Sequence, residues 1–138
     1  LDVTIQAQII RLMKGLKDEF KTSVILITHD LGLVAGFCEK VAVMYAGNVV
    51  ESSDTRTIFV DPKHPYTVGL MNSIPRIDID YKRDLEIIKG EVPTMIDPPS
   101  GCKFHPRCPR AASTCTRDRP ELRQVAPGHM VACHLEAS

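Results

Sequence analysis

The chain has 138 residues, 43% of them hydrophobic and 25% charged, and its 17 basic and 17 acidic side chains cancel. That length supports one ordinary domain or two small units, and the balanced charge argues against a nucleic-acid partner, which calls for a basic excess. No apolar run approaches the roughly 20 residues of a membrane helix, and no charged start, apolar segment and cleavage site mark a secretory signal, so any membrane association has to come through partners. The chain opens on Leu1 without a methionine, already inside a helical pattern, and reads as a part of something longer.

In chain order, Asp2 is placed to cap a helix whose apolar residues Ile5, Ile9, Leu12, Met13, Leu16 and Phe20 fall at steps of three and four on one face. Gln6, Gln8, Arg11, Lys14, Lys17 and Asp18 make the solvated opposite face. Val24-Ile25-Leu26-Ile27-Thr28 is an unbroken apolar and β-branched run. It predicts a strand covered on both faces, as in a parallel sheet under helices. The run stops at His29-Asp30, and ligands of open α/β sheets gather at the carboxyl ends of such strands. His29 is therefore a candidate for contact with a substrate phosphate. The plainer alternative is a histidine that is satisfied locally.

Asp30 can cap a second, short helix running to Cys38, with Leu31, Val34, Ala35 and Phe37 facing inward. Val41–Tyr45 and Val49–Glu51 then read as two strands of an antiparallel hairpin, with Gly47-Asn48 as the turn signal. The fold class that follows is α/β: helix, strand, helix, hairpin. Asp54 begins another capped helix to Val60, the prolines of Asp61-Pro62-Lys63-His64-Pro65 break it, and Thr67 is placed to cap a helix over 68–73. Residues 75–80 read as a linker, and 85–92 as a strand that Pro93 ends.

The last third is different in texture. Cys102, Cys108, Cys115 and Cys133 follow Pro98-Pro99-Ser100-Gly101, with prolines and basic residues between them and few large apolar side chains. Such a segment lacks the carbon to order itself by burial alone. Three staples are open. Disulfides suit a secreted module, which nothing here indicates. A four-thiolate zinc site and an iron–sulfur cluster are the metal readings; paired C-x2-4-C spacing, the usual zinc signature, is absent, and clusters tolerate irregular spacing. Lys103, Arg107, Arg110, Arg117 and Arg119 lie near enough in sequence to offset the negative charge of either metal site. His105, His129 and His134 are not taken as ligands, and Cys38 reads as a small buried residue.

These residues resemble a known family, the ATP-binding subunits of oligopeptide and dipeptide ABC importers, in their C-terminal part. Leu1-Asp2 is similar to the end of the D-loop, Ile27-Thr28-His29-Asp30-Leu31 to the switch-histidine loop, and Val43–Glu51 to the hairpin after it. His64-Pro65-Tyr66-Thr67 and Pro98-Pro99-Ser100-Gly101-Cys102 resemble stretches particular to peptide and nickel importers. The resemblance implies three segments: 1–74 as the end of the ATPase domain, 75–101 as linker and strand, and 102–138 as an irregular cysteine-rich tail. It implies that His29 reaches the γ-phosphate of ATP and that Asp2 couples two nucleotide sites. It also implies that Cys102, Cys108, Cys115 and Cys133 hold a [4Fe–4S] cluster, with Zn²⁺ as the alternative.

No G-x4-G-K-[ST] loop, paired Walker B carboxylates or LSGGQ-type signature occurs in the 138 residues. The expectation is thus that ATP and Mg²⁺ bind only the intact subunit and that this stretch alone is inactive. The implied partners are a second ATP-binding subunit, the permease subunits and, through them, a substrate-binding protein, at the cytoplasmic face of the membrane. A nickel importer and a standalone metal-stapled interaction module are the rival readings.

Overall fold

The structure is a computed structural model, and it describes residues 3–74 and 88–136. The chain divides into two compact units, Leu1–Glu39 and Lys40–Ser138.

In the first unit, helix α1 (Val3–Phe20) forms over the predicted periodicity. It ends where Lys21 takes a left-handed φ of 49° and Thr22 N–H returns to Lys17 O, a glycine-type stop made by a lysine. Ile5, Ile9, Leu12, Leu16 and Phe20 are all exposed. Asp2, the expected cap, lies outside the described residues. Helix α2 (Leu31–Phe37) has the expected cap: the Asp30 carboxylate accepts from Gly32 N–H at 2.9 Å and Leu33 N–H at 3.1 Å.

The buried parallel strand expected at 24–28 is not formed. The segment pairs with no strand among the described residues, and Ile25 and Ile27 are 91% and 94% exposed. A strand is a property of a pair, because its N–H and C=O groups need a neighbouring strand to answer them. Apolar content alone supplies the two faces but not the edges.

The second unit is built on one four-stranded antiparallel sheet of order β1-β2-β4-β3. Strands β1 (Lys40–Tyr45) and β2 (Asn48–Asp54) make the predicted hairpin. The turn sits one residue earlier than expected: Ala46 and Gly47 take the positive φ values, 44° and 74°, and the Asn48 side chain steadies them by donating to Ala46 O at 2.7 Å. Helix α3 (Thr55–Val60) is capped by Asp54 as expected, through Thr57 N–H at 2.9 Å. Helix α4 (Pro65–Asn72) starts earlier than expected. Its cap is His64, not Thr67, and Pro65 occupies the first turn, where no amide donor is required. The expected linker at 75–80 lies outside the described residues, as does the beginning of the strand expected at 85–92; residues 88–92 are not a strand.

Beyond Cys102 the chain is more regular than its composition predicts. It forms a short helix α5 (Ser113–Arg117) and a hairpin, β3 (Arg123–Ala126) and β4 (His129–Val131). β4 pairs with β2 through Glu51↔Val131 and Ser52↔Met130, so the tail completes the sheet that begins at Lys40. Its one large aromatic, Phe104, is 2% exposed and packs with Val43, Tyr45, Val50 and Ile58. The ring centroid of Phe104 lies 5.1 Å from that of Tyr45 and 5.4 Å from that of Tyr66. The missing carbon is thus borrowed from the hairpin and α4.

Candidate functional site

In the first unit His29 is exposed, next to Asp30, whose amide donates to Thr28 Oγ1 at 3.0 Å while its carboxylate caps α2. The flanking residues are held by local hydrogen bonds and the imidazole is left to solvent. An exposed imidazole on a braced loop is free to meet a ligand supplied from elsewhere.

In the second unit the four cysteines of the tail line one cleft, together with His64, Phe104 and His105. Several short-range bonds bring them there. Cys102 N–H donates to Cys115 O at 2.8 Å, and Cys108 N–H donates to His105 O at 3.2 Å, closing a 3-10 turn over His105–Arg107. Gly101 makes the first of these possible: its φ is 60°, and a Cβ there would run into the backbone of Cys115 and Thr116. Cys115 is buried and the other three are partly buried, and none of the four is in a disulfide.

Burial pushes the Cys102 thiol up, and the neighbouring Cys115 and Cys108 add to this, against the amides of Phe104 and His105, which favour its thiolate. Cys108 is likewise raised, first by burial and then by Cys115, against the Arg110 amide and guanidinium. Thiols that burial and mutual repulsion keep protonated are groups a cation can deprotonate by binding.

Among the described residues, no three His, Cys, Asp or Glu converge closely enough to hold a single metal ion. A tetrahedral zinc with bonds of about 2.3 Å requires that convergence. A multi-iron cluster does not, because each cysteine meets a different iron. The donor set the cleft offers is four cysteine thiols, none of them in a disulfide.

The nearby histidines are otherwise engaged. His105 Nδ1–H donates to Cys102 O at 2.9 Å, and His134 Nε2–H to Asp118 O at 2.8 Å. Arg110 acts on Cys108 as expected, while three of the other cations expected to balance the cleft brace loops. Lys103 donates to Pro99 O, Arg119 to Asn48 Oδ1, and Arg107 reaches Ile88 O, Lys89 O and the Tyr45 hydroxyl.

Sequence reasoning missed three residues. Glu51 is fully buried in β2; its Oε1 accepts from Lys63 N–H at 2.8 Å and its Oε2 from His64 N–H at 2.9 Å. His129 Nε2 lies 2.6 Å from Glu51 Oε1. His64 lines the cysteine cleft, and burial holds its pKa down at about 4 against the opposing charge of Glu51. The one available signal was an acidic residue directly after Val49-Val50 in a strand; the pairing itself has no local signature.

Residues 50–115 match the family described as Oligopeptide/dipeptide transporter, C-terminal region. The chain is 49% identical over 133 residues to the oligopeptide transport ATP-binding protein OppD of Salmonella typhimurium, a match that covers 96% of this chain and 39% of the relative. It is 50% identical over 135 residues to AppD of Bacillus subtilis, also an oligopeptide transport ATP-binding protein, covering 98% of this chain and 41% of the relative. The chain spans about two fifths of the length of the curated relatives it matches.

Proposed function

We propose, for a chain whose residues 50–115 match the oligopeptide/dipeptide transporter C-terminal region, that it is the C-terminal part of an ATP-hydrolysing subunit that powers peptide import across the cell membrane. The observation that carries this reading is the extent of the similarity. It takes in 96% of the chain, and so includes the His29 loop as well as the hairpin and the cysteines. A standalone module would have no need of the first unit. Peptide cargo is preferred over nickel because the relatives are named as oligopeptide transport proteins.

In this reading ATP and Mg²⁺ are bound largely by residues outside the chain. The exposed His29 contributes one donor toward the γ-phosphate, where charge on the transferring group grows. Asp2 acts at the junction between two ATP-binding subunits. The subunit is held at the cytoplasmic face by permease partners that bring in a substrate-binding protein; among the described residues no helix is long and apolar enough to cross a membrane. No nucleic acid is involved.

In this reading residues 1–74 serve the nucleotide site, 75–101 connect and 102–138 carry the cysteines, while the compact units divide after Glu39 and the tail shares its sheet with the hairpin. Cys102, Cys108, Cys115 and Cys133 would hold a [4Fe–4S] cluster, with Zn²⁺ the lesser alternative. When bound, such a cluster supplies a covalent staple and a one-electron centre. The residues themselves set the frame: Phe104 anchors the segment, Gly101 permits the close turn, and β4 ties it to β2.

The test is ATP-driven uptake of a labelled oligopeptide by the assembled transporter in proteoliposomes. His29→Ala should lower uptake and ATP turnover about 100-fold or more while nucleotide binding persists. Full uptake by that variant would overturn the role of His29, and ATP turnover by the pure 138-residue chain would overturn its dependence on the rest of the subunit.

A further inference from the structure

One nitrogen at the cysteine cleft has no hydrogen-bond partner among the described residues. His64 is 1% exposed, and its Nδ1 accepts the Tyr66 amide proton at 3.1 Å, capping α4. A neutral imidazole that accepts at Nδ1 carries its proton on Nε2. Among the described residues no hydrogen bond from Nε2 is made. The ring lines the same cleft as all four tail cysteines. A nearly buried ring that lines the cleft thus has one nitrogen committed to α4 and the other uncommitted.

We propose that His64 is a positioning residue of this cleft, whose Nε2–H donates a hydrogen bond to the anionic sulfur centre held by Cys102, Cys108, Cys115 and Cys133 and raises that centre's reduction potential. The inference rests on the four-cysteine cluster reading above. Hydrogen bonds to sulfur are among the main levers on such potentials. The reduced form carries one more negative charge, so a donor in a low-dielectric cleft stabilises it more than the oxidised form. With Nδ1 accepting from Tyr66 N–H, the ring presents Nε2–H as a donor with a fixed tautomer. The same residue caps a helix with one nitrogen and addresses the cleft with the other.

The two roles separate by substitution. In His64→Asn the amide oxygen stands where Nδ1 stands, so the cap is kept, and nothing reaches as far as Nε2. In His64→Gln the amide reaches the Nε2 position and the cap is lost. The full 138-residue chain is reconstituted anaerobically with ferrous iron and sulfide, and its potential, iron content and Tm are measured. His64→Asn should keep its iron and its Tm and titrate at a more negative potential than wild type. His64→Gln should lose Tm and stay near the wild-type potential.

Equal potentials in wild type and His64→Asn, both loaded, would overturn the role of His64 and leave the cluster reading standing. Failure of the wild type to take up iron would overturn the cluster reading itself, and the inference with it. Imidazole ¹⁵N spectra of the metal-free chain at pH 7 give an independent check: a proton on Nδ1 of His64 instead of Nε2 would also overturn the inference.

Discussion

Glu51 and His129, 78 residues apart in sequence, meet at 2.6 Å with both side chains withdrawn from solvent. The same carboxylate takes the backbone protons of Lys63 and His64 on the other side. One buried group therefore ties β2, the tail hairpin and the entrance of α4 together.

Removing that group should be severe. Glu51→Ala strands two amides and an imidazole in the interior, a loss of about 3–5 kcal/mol by the usual cost of breaking a buried charged network. Glu51→Gln keeps one acceptor and should fall between the two. Urea unfolding measures both, and an alanine variant within about 0.5 kcal/mol of wild type would show that the network is not what holds the tail.

Stability should also depend on pH through His64. Burial depresses its folded pKa from 6.5 to about 4. Above 6.5 both states are neutral there. Between 6.5 and 4 only the unfolded chain takes the proton, so this contribution, about 3 kcal/mol at full size, is lost as pH falls through that window. In His64→Asn the part of the slope due to this residue should vanish. Identical pH profiles in the two proteins would refute the assignment.

Gly101 should tolerate no side chain. In Gly101→Ala the new methyl meets Thr116 C at 2.9 Å and Cys115 O more closely still, in a backbone conformation with φ of 60°. The turn that sets Cys102 beside Cys115 should open, lowering Tm and iron uptake together. Gly128, whose added Cβ meets nothing within 4 Å, is the control for positive φ without crowding.

Arg107 should act as a clasp. Its Nε and Nη2 donate to Lys89 O at 3.1 Å and Ile88 O at 2.9 Å, two carbonyls that a lysine cannot fork across. Arg107→Lys should free the 88–90 segment and speed tryptic cleavage after Lys89 several-fold, with little change in global Tm. Unchanged cleavage would mean that other contacts hold the segment.

What could be read from sequence was what depends on near neighbours. Asp30 and Asp54 announced their helices because a cap bonds amides two or three residues ahead. The β1–β2 hairpin announced itself because its turn and strands are adjacent. Ser23–Thr28 misled because an apolar run says nothing of whether a partner strand is present. His64 displaced Thr67 as a cap because its own Nδ1 can do the work of a hydroxyl, which propensity does not weigh. The cysteines were recognisable by composition, but not that Phe104 would reach Tyr45 and Tyr66, nor that His129 would reach Glu51. Those contacts are made only when the tail pairs with β2.

The most direct measurement of the account is the iron and acid-labile sulfide content of the anaerobically purified chain, with its absorption near 400 nm. About four irons and four sulfides per chain, with a broad charge-transfer band that is lost when Cys102, Cys108, Cys115 or Cys133 is replaced by serine and kept in Cys38→Ser, is the expected result. One zinc and no band, or a colourless and metal-free chain with the same Tm, would contradict it.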